Sequence, residues 1–219
     1  MTDKESLRAA VRASRSAMSS AERTAARQAI REVVLRRCRD LALPAGARVA
    51  AYQPLRTEPG SVELLAALHS AGYQVVVPHT LPDRDLDWLP WPRPASGSHP
   101  STSPIRSELP GGPRNPPASP LRPPVQTPSD ALGIAAIGTA ALLLVPALAV
   151  DRQGRRLGRG GGSYDRALAR VPAGTVVAAL VFADELVERV PTDPWDRPVT
   201  AAVSPHGWLD LTRTGRRNT

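Results

Sequence analysis

Residues 144–166 read LVPALAVDRQGRRLGRGGGSYDR: an apolar run that ends in a turn, then a glycine- and arginine-rich loop, then a helix start. A buried strand feeding such a loop belongs to an α/β unit, because the apolar run needs neighbours on both faces. The loop carries Gly158, Gly160, Gly161 and Gly162, with Arg155, Arg156 and Arg159 among them and Arg166 beyond. Glycines let backbone N–H groups approach an anion closely, and arginines supply fixed positive charge. The helix N-terminus adds its dipole. In ordered structure each glycine costs about 0.5–1 kcal/mol against alanine. The arginines repel one another unless an anion sits between them. A plain turn accounts for neither cost, so the segment reads as a phosphate cradle, with Ser163 expected as N-cap of the helix.

Two common phosphate motifs are absent. The P-loop needs a lysine after its second glycine, and this loop has none. The Gly-x-Gly-x-x-Gly dinucleotide pattern fails because the third position counted from Gly158 is Ser163. The single Arg-Gly-Gly at 159–161 is similar to RNA-binding segments, but those are repeated and disordered.

The remaining chemistry-bearing residues are scattered. His69, His79, His99 and His206 show no metal-ligand spacing. Glu58 follows the strand-like segment 47–52, where α/β proteins bind ligands, or is a solvated loop carboxylate. Asp165 and Asp196 have the chemistry to hold Mg²⁺ beside a triphosphate. Asp165 alone would equally complement a helix dipole.

Of the 28 basic residues Lys4 is the only lysine, so either its ammonium is needed or it is one more solvated surface charge. The net charge of +8 favours anionic partners. Cys38 is the only cysteine, and the N-terminus shows no apolar leader, which together suggest a cytoplasmic protein without disulfides. Residues 131–150 lack charge for the length of a membrane span, but their alanines, two glycines and Pro146 suit a buried strand and its approach loop.

Periodicity predicts helices over 3–17 and from about 20 to 39, the second opened by a Ser19/Glu22 capping box. A helix over 61–70 lies between strands at 47–52 and 73–78, and a further strand follows at 85–91. Order resumes with a strand over 141–150, a helix from about 164 to 171 and a strand over 175–182. This alternation predicts one three-layer α/β/α domain over 1–219 with a mostly parallel central sheet. Residues 92–129, crowded with Pro, Ser, Gly and Arg, read as a long loop or disordered insert, and 211–219 as a frayed tail.

The segment Pro146 to Asp165 resembles the hallmark of 5-formyltetrahydrofolate cyclo-ligases: Pro-x-x-Ala-hydrophobic-Asp-x-x-Gly-x-Arg-Leu-Gly-x-Gly-x-Gly, followed by Tyr-Tyr-Asp. Lys4-x-x-Leu7-Arg8, Tyr52-x-Pro54…Glu58 and Val190-Pro191…Asp196 agree in order and spacing, so the resemblance spans about 3–92 and 130–204. It implies an ATP- and Mg²⁺-dependent closure of 5-formyltetrahydrofolate to 5,10-methenyltetrahydrofolate, with ADP and phosphate released. In that scheme Lys4, Arg8, Arg156, Leu157, Gly158, Arg159, Gly160, Gly161, Gly162, Ser163 and Tyr164 hold ATP. Arg8, Gln53, Glu58, Trp88 and Tyr164 face the folate. Arg159 and Tyr164 border the reacting groups, and Asp165 and Asp196 hold Mg²⁺.

The expected partner is a small molecule, a reduced folate with or without a polyglutamate tail, bound by a monomer with no nucleic acid or membrane involved. Ser163 stands where the family has its first tyrosine. That departure keeps open a non-catalytic folate- or nucleotide-binding relative, while charge and Arg-Gly-Gly leave RNA binding as a further alternative.

Overall fold

The computed structural model describes residues 3–93 and 128–211. Residues 94–127 of the expected insert and 212–219 of the expected tail lie outside them. Helices α1 (Lys4–Ala17) and α2 (Ser20–Asp40) come first, then strand β1 (Arg48–Ala50), helix α3 (Val62–Ser70) and strands β2 (Gln74–Thr80) and β3 (Leu86–Trp91). A 3-10 helix (Ile134–Thr139) leads into β4 (Leu142–Pro146), β5 (Ala149–Asp151) and β6 (Arg156–Leu157). Helix α4 (Ser163–Leu168), β7 (Val176–Leu180), β8 (Leu186–Val187), β9 (Ala201–Ser204) and β10 (Gly207–Asp210) complete the order.

Seven strands form the main sheet in the order β10-β9-β7-β4-β1-β2-β3. The inner pairings are parallel, and only the edge strands β3 and β10 run antiparallel. Alternate residues of the inner strands face opposite layers, as the pleat requires. Val49, Leu142, Leu144, Ala178 and Leu180 pack under α2 and α3 through Ile30, Val34, Leu64 and Leu68. Ala50, Leu143, Val145, Val177 and Ala179 meet Ile137 of the 3-10 helix and Ala167 and Leu168 of α4.

Local signals set the helix starts. Ser19 Oγ accepts from Glu22 N at 3.2 Å and Glu22 Oε2 accepts from Ser19 N at 2.8 Å, which completes the predicted capping box. Ser61 caps α3 through Leu64 N.

Two expectations are corrected. The apolar run 141–150 is not one strand. It breaks after Pro146, and its second half, β5, leaves the main sheet to join β6 and β8 in a separate three-stranded sheet. That small sheet seats α1, where Leu7 and Val11 pack on Leu148, Leu157 and Val190. Ser163 is also not the N-cap of α4. Gly162 takes that position in the left-handed conformation (φ 68°), which a side chain would strain, so Ser163 becomes the first helical residue.

Candidate active site

A cavity of about 870 Å³ opens at the carboxyl ends of β1, β2 and β4. Tyr52, Gln53, Leu55 and Glu58 from the loop after β1 form one wall, with Pro78 and Thr80 from β2 and Pro146 to Leu148 after β4 behind them. Carboxyl ends of parallel strands are where open α/β sheets bind ligands. The glycine loop, α4, the N-terminal turn of α1 and residues 193–197 complete the lining. Six basic side chains (Lys4, Arg8, Arg156, Arg159, Arg166, Arg197) face it with four acidic ones (Glu58, Asp165, Asp193, Asp196).

Residues far apart in sequence meet here. Lys4 Nζ donates to Asp193 Oδ2 and Asp196 Oδ2, each at 2.6 Å. Partial burial lowers the ammonium pKa, but hydrogen bonds and charge from the two carboxylates more than offset it and leave it raised. One turn further along α1, Arg8 Nε donates to the carbonyl of Gly158 at 3.1 Å, docking the helix on the glycine loop. Arg156 donates to Asp165 Oδ1 at 2.9 Å and to the carbonyl of Pro146 at 3.3 Å. The Arg197 amide also reaches Asp165 Oδ1, at 3.1 Å.

Glycine is needed where the loop runs closest to these cations. Gly160 sits at φ 102°, beside the Arg8 guanidinium, and a Cβ on Gly158 would lie 2.9 Å from Arg156 Nη1. On the opposite wall Glu58 is buried, accepts from Leu55 N at 2.8 Å and faces Arg159 Nη1 at 3.9 Å. Its loop is held by Arg27, which donates to the carbonyls of Leu55, Arg56 and Glu58.

The Tyr164 hydroxyl and Arg156 Nε are buried at this cavity without a protein partner. Unpartnered buried polar atoms are costly, so these two are where a ligand would be received. Burial and the nearby Tyr52 raise the Tyr164 pKa, opposed by Arg156, so the hydroxyl remains a donor at neutral pH.

Among the described residues no group of three or more His, Cys, Asp or Glu forms a metal cage. Mg²⁺ beside a nucleotide does not require one, since it takes one or two carboxylates and completes its shell with phosphate and water. Asp165 and Asp196 line the cavity, and the contacts above engage Oδ1 of Asp165 and Oδ2 of Asp196, so each carboxylate has a second oxygen to offer a cation.

Of the residues singled out in the sequence, Lys4, Arg8, Gln53, Glu58, Asp196 and all of 156–165 line the cavity. Trp88 does not: it is 1% exposed in the core, opposite Pro78 in the antiparallel β2–β3 register and in one apolar cluster with Leu86 and Ile137. Sequence reading missed Asp193 and Trp195. Trp195 is 69% exposed on the cavity rim, inside a turn closed by Asp193 N to Asp196 Oδ2 at 2.8 Å. Two aspartates three apart around a tryptophan, as in Asp193-Pro194-Trp195-Asp196, were the available signal.

The 5-formyltetrahydrofolate cyclo-ligase family model matches residues 1–205. The chain belongs to this family. A 5-formyltetrahydrofolate cyclo-ligase of Mycolicibacterium smegmatis is 39% identical over 161 residues, which cover 74% of this chain and 75% of that relative. The 5,10-methenyltetrahydrofolate synthetase of Mycoplasma pneumoniae superposes with a TM-score of 0.67 at 17% identity, covering 93% of this chain and 99% of that one. That of Aquifex aeolicus gives 0.63 at 24% identity, covering 99% and 96%. At these identities the two structures speak for the fold. This chain shares its mixed α/β fold with those two structures. Among the described residues no helix is long and apolar enough to cross a membrane.

Proposed function

We propose that this chain is an ATP-dependent 5-formyltetrahydrofolate cyclo-ligase working at this cavity. A formamide oxygen is a poor leaving group. Transfer of the γ-phosphoryl group of ATP to that oxygen makes an activated imidate. The folate N10 then attacks the same carbon, the ring closes to 5,10-methenyltetrahydrofolate as the C–O bond breaks and phosphate leaves, the N10 proton departing with it, while ADP is the other product. Phosphoryl transfer is governed by positioning and charge neutralisation.

This chain's residues have those tasks. Lys4, Arg8, Arg156, Arg159 and the amides of 158–162 hold the phosphates. Gln53 and Glu58 face the folate, with the Glu58 carboxylate suited to accept pterin N–H groups. Tyr164 donates at the formyl end, and with Arg159 it borders the transferring group. Asp165 and Asp196 would hold Mg²⁺, which neutralises phosphate charge. Ser163 leaves space where relatives carry an aromatic ring.

The observation that carries the reading is the meeting of Lys4 with Asp193 and Asp196 beside the glycine loop, which brings residues distant in sequence to one cation-rich cavity. Its test is purified protein with 5-formyltetrahydrofolate, Mg²⁺ and ATP, followed by the near-ultraviolet absorbance of the methenyl product. The rise should require ATP. Absence of any ATP-dependent rise, with tight ligand binding retained, would make the chain a binding relative instead.

A further inference from the structure

Asp151 closes β5 and is fully buried, yet nothing in the chemistry above uses it. Its carboxylate is saturated with donors. Oδ1 accepts from Gln153 N at 3.0 Å and Arg155 N at 3.1 Å, and Oδ2 accepts from Arg155 Nε at 2.5 Å and Val190 N at 2.8 Å. Three residues on, Gly154 accepts from Val199 N at 2.8 Å. Gly154 sits at φ 77°, and a Cβ there would lie 2.3 Å from the Val199 carbonyl oxygen. One turn, 151–154, therefore grips the 190–199 loop at both of its ends.

The gripped loop is the one that matters to the cavity. It carries Asp193 and Asp196, which hold Lys4, and the Arg197 amide, which holds Asp165. The other side of the same turn runs directly into Arg155 and Arg156 and so starts the glycine loop. A buried carboxylate without donors would be expensive, and this one spends its lone pairs on two separate segments.

We infer that Asp151 and Gly154 are positioning residues that hold the 190–199 loop in register with the glycine loop, and so set Lys4 against the phosphate cradle. The part concerning ATP rests on the proposed function; the clamp itself does not. Asparagine at 151 would turn an N–H₂ toward the donors that Oδ2 or Oδ1 now receives. Alanine at 154 would strain a left-handed residue and push on Val199.

The test combines amide exchange with kinetics on Asp151→Asn and, as an independent variant at the other end of the loop, Gly154→Ala. In the wild type the Val190 and Val199 amides should exchange at least about tenfold more slowly than exposed loop amides. In each folded variant exchange across 190–199 should quicken about tenfold while β4 and β7 are unchanged. The KM for ATP should rise about tenfold, as for loss of one charge-assisted contact, with the KM for 5-formyltetrahydrofolate within about twofold. Adding Lys4→Ala to Asp151→Asn should cost much less than in the wild type, because both act on one arrangement.

Unchanged exchange across 190–199 in both variants, or a wild-type Val190 amide as fast as exposed ones, overturns the clamp. Equal rises in both KM values with fully additive Lys4→Ala overturn its role in placing Lys4. A wild type that uses no ATP defeats the proposed function, and the exchange comparison still decides the clamp.

Discussion

Lys4 Nζ lies 2.6 Å from Asp196 Oδ2, across 192 positions of sequence. A second carboxylate, Asp193, sits at the same distance, so one compact ammonium bridges both. A guanidinium is a planar fork and cannot reproduce that point contact. Lys4→Ala and Lys4→Arg should therefore both raise the KM for ATP by about 10- to 100-fold, the loss of a charge-assisted contact. Steady-state kinetics with each substrate varied in turn checks this. The raised ammonium pKa means that Lys4's contribution is fully present below its ordinary value of 10.5 and is lost only as pH climbs through the higher folded value. It should not shape the neutral-pH profile.

Gly158→Ala probes the cradle without straining the backbone, since only its side chain is at issue. The new Cβ would stand 2.9 Å from Arg156 Nη1. Arg156 has no room to swing, because its side chain is 3% exposed and tied to Asp165 and Pro146. Catalytic efficiency should fall about tenfold or more, with the melting temperature within a few degrees of wild type. Parallel kinetic and thermal measurements check the split.

Arg15 and Glu185 form an ion pair with both side chains under 5% exposed, at 2.6 Å, and Arg15 also donates to the carbonyl of Ala147 beside the cavity. Removing one partner leaves a buried charge, so Glu185→Gln should destabilise by about 3–5 kcal/mol. Replacing both, Arg15→Met with Glu185→Leu, should recover much of that. Denaturant unfolding of the single and double variants makes the comparison.

Arg170 pairs with Asp85 and ties α4 to the β2–β3 turn, where Arg166 also donates to the carbonyl of Arg84 at 2.6 Å. The hydrogen bond from Arg170 holds the Asp85 pKa below its usual 3.8, despite burial. A depressed carboxylate stabilises the fold above its unfolded pKa and loses that contribution as pH falls through the folded value. Melting temperatures should thus drop as the pH falls below the ordinary carboxylate value of 3.8, and Asp85→Asn should flatten that limb.

Sequence reading succeeded at most local signals, though not at Ser163, which is not the N-cap of α4. The Ser19/Glu22 box, the Ser61 cap and the glycine loop each declare themselves within a few residues, and α1 to α3 lie within a residue or two of their expected bounds. It failed where a residue's role is decided at long range. The run 141–150 carries Pro146 as a break, but that its second half joins another sheet depends on pairing with β6 and β8. Trp88 was placed against the folate by resemblance alone, and its burial depends on the register of β3 against β2. Asp193 gains its role only from Lys4, 189 residues away, and Asp151 gains its second set of partners only when Val190 is folded onto it.

The central claim is that this cavity moves a phosphoryl group onto the formyl oxygen. Substrate labelled with ¹⁸O at the formyl group, turned over with ATP and Mg²⁺, tests it in one measurement, by mass spectrometry of the released phosphate. The account predicts one ¹⁸O in each phosphate, formed in step with the methenyl product. Unlabelled phosphate accompanying product, or no product at all, would contradict it.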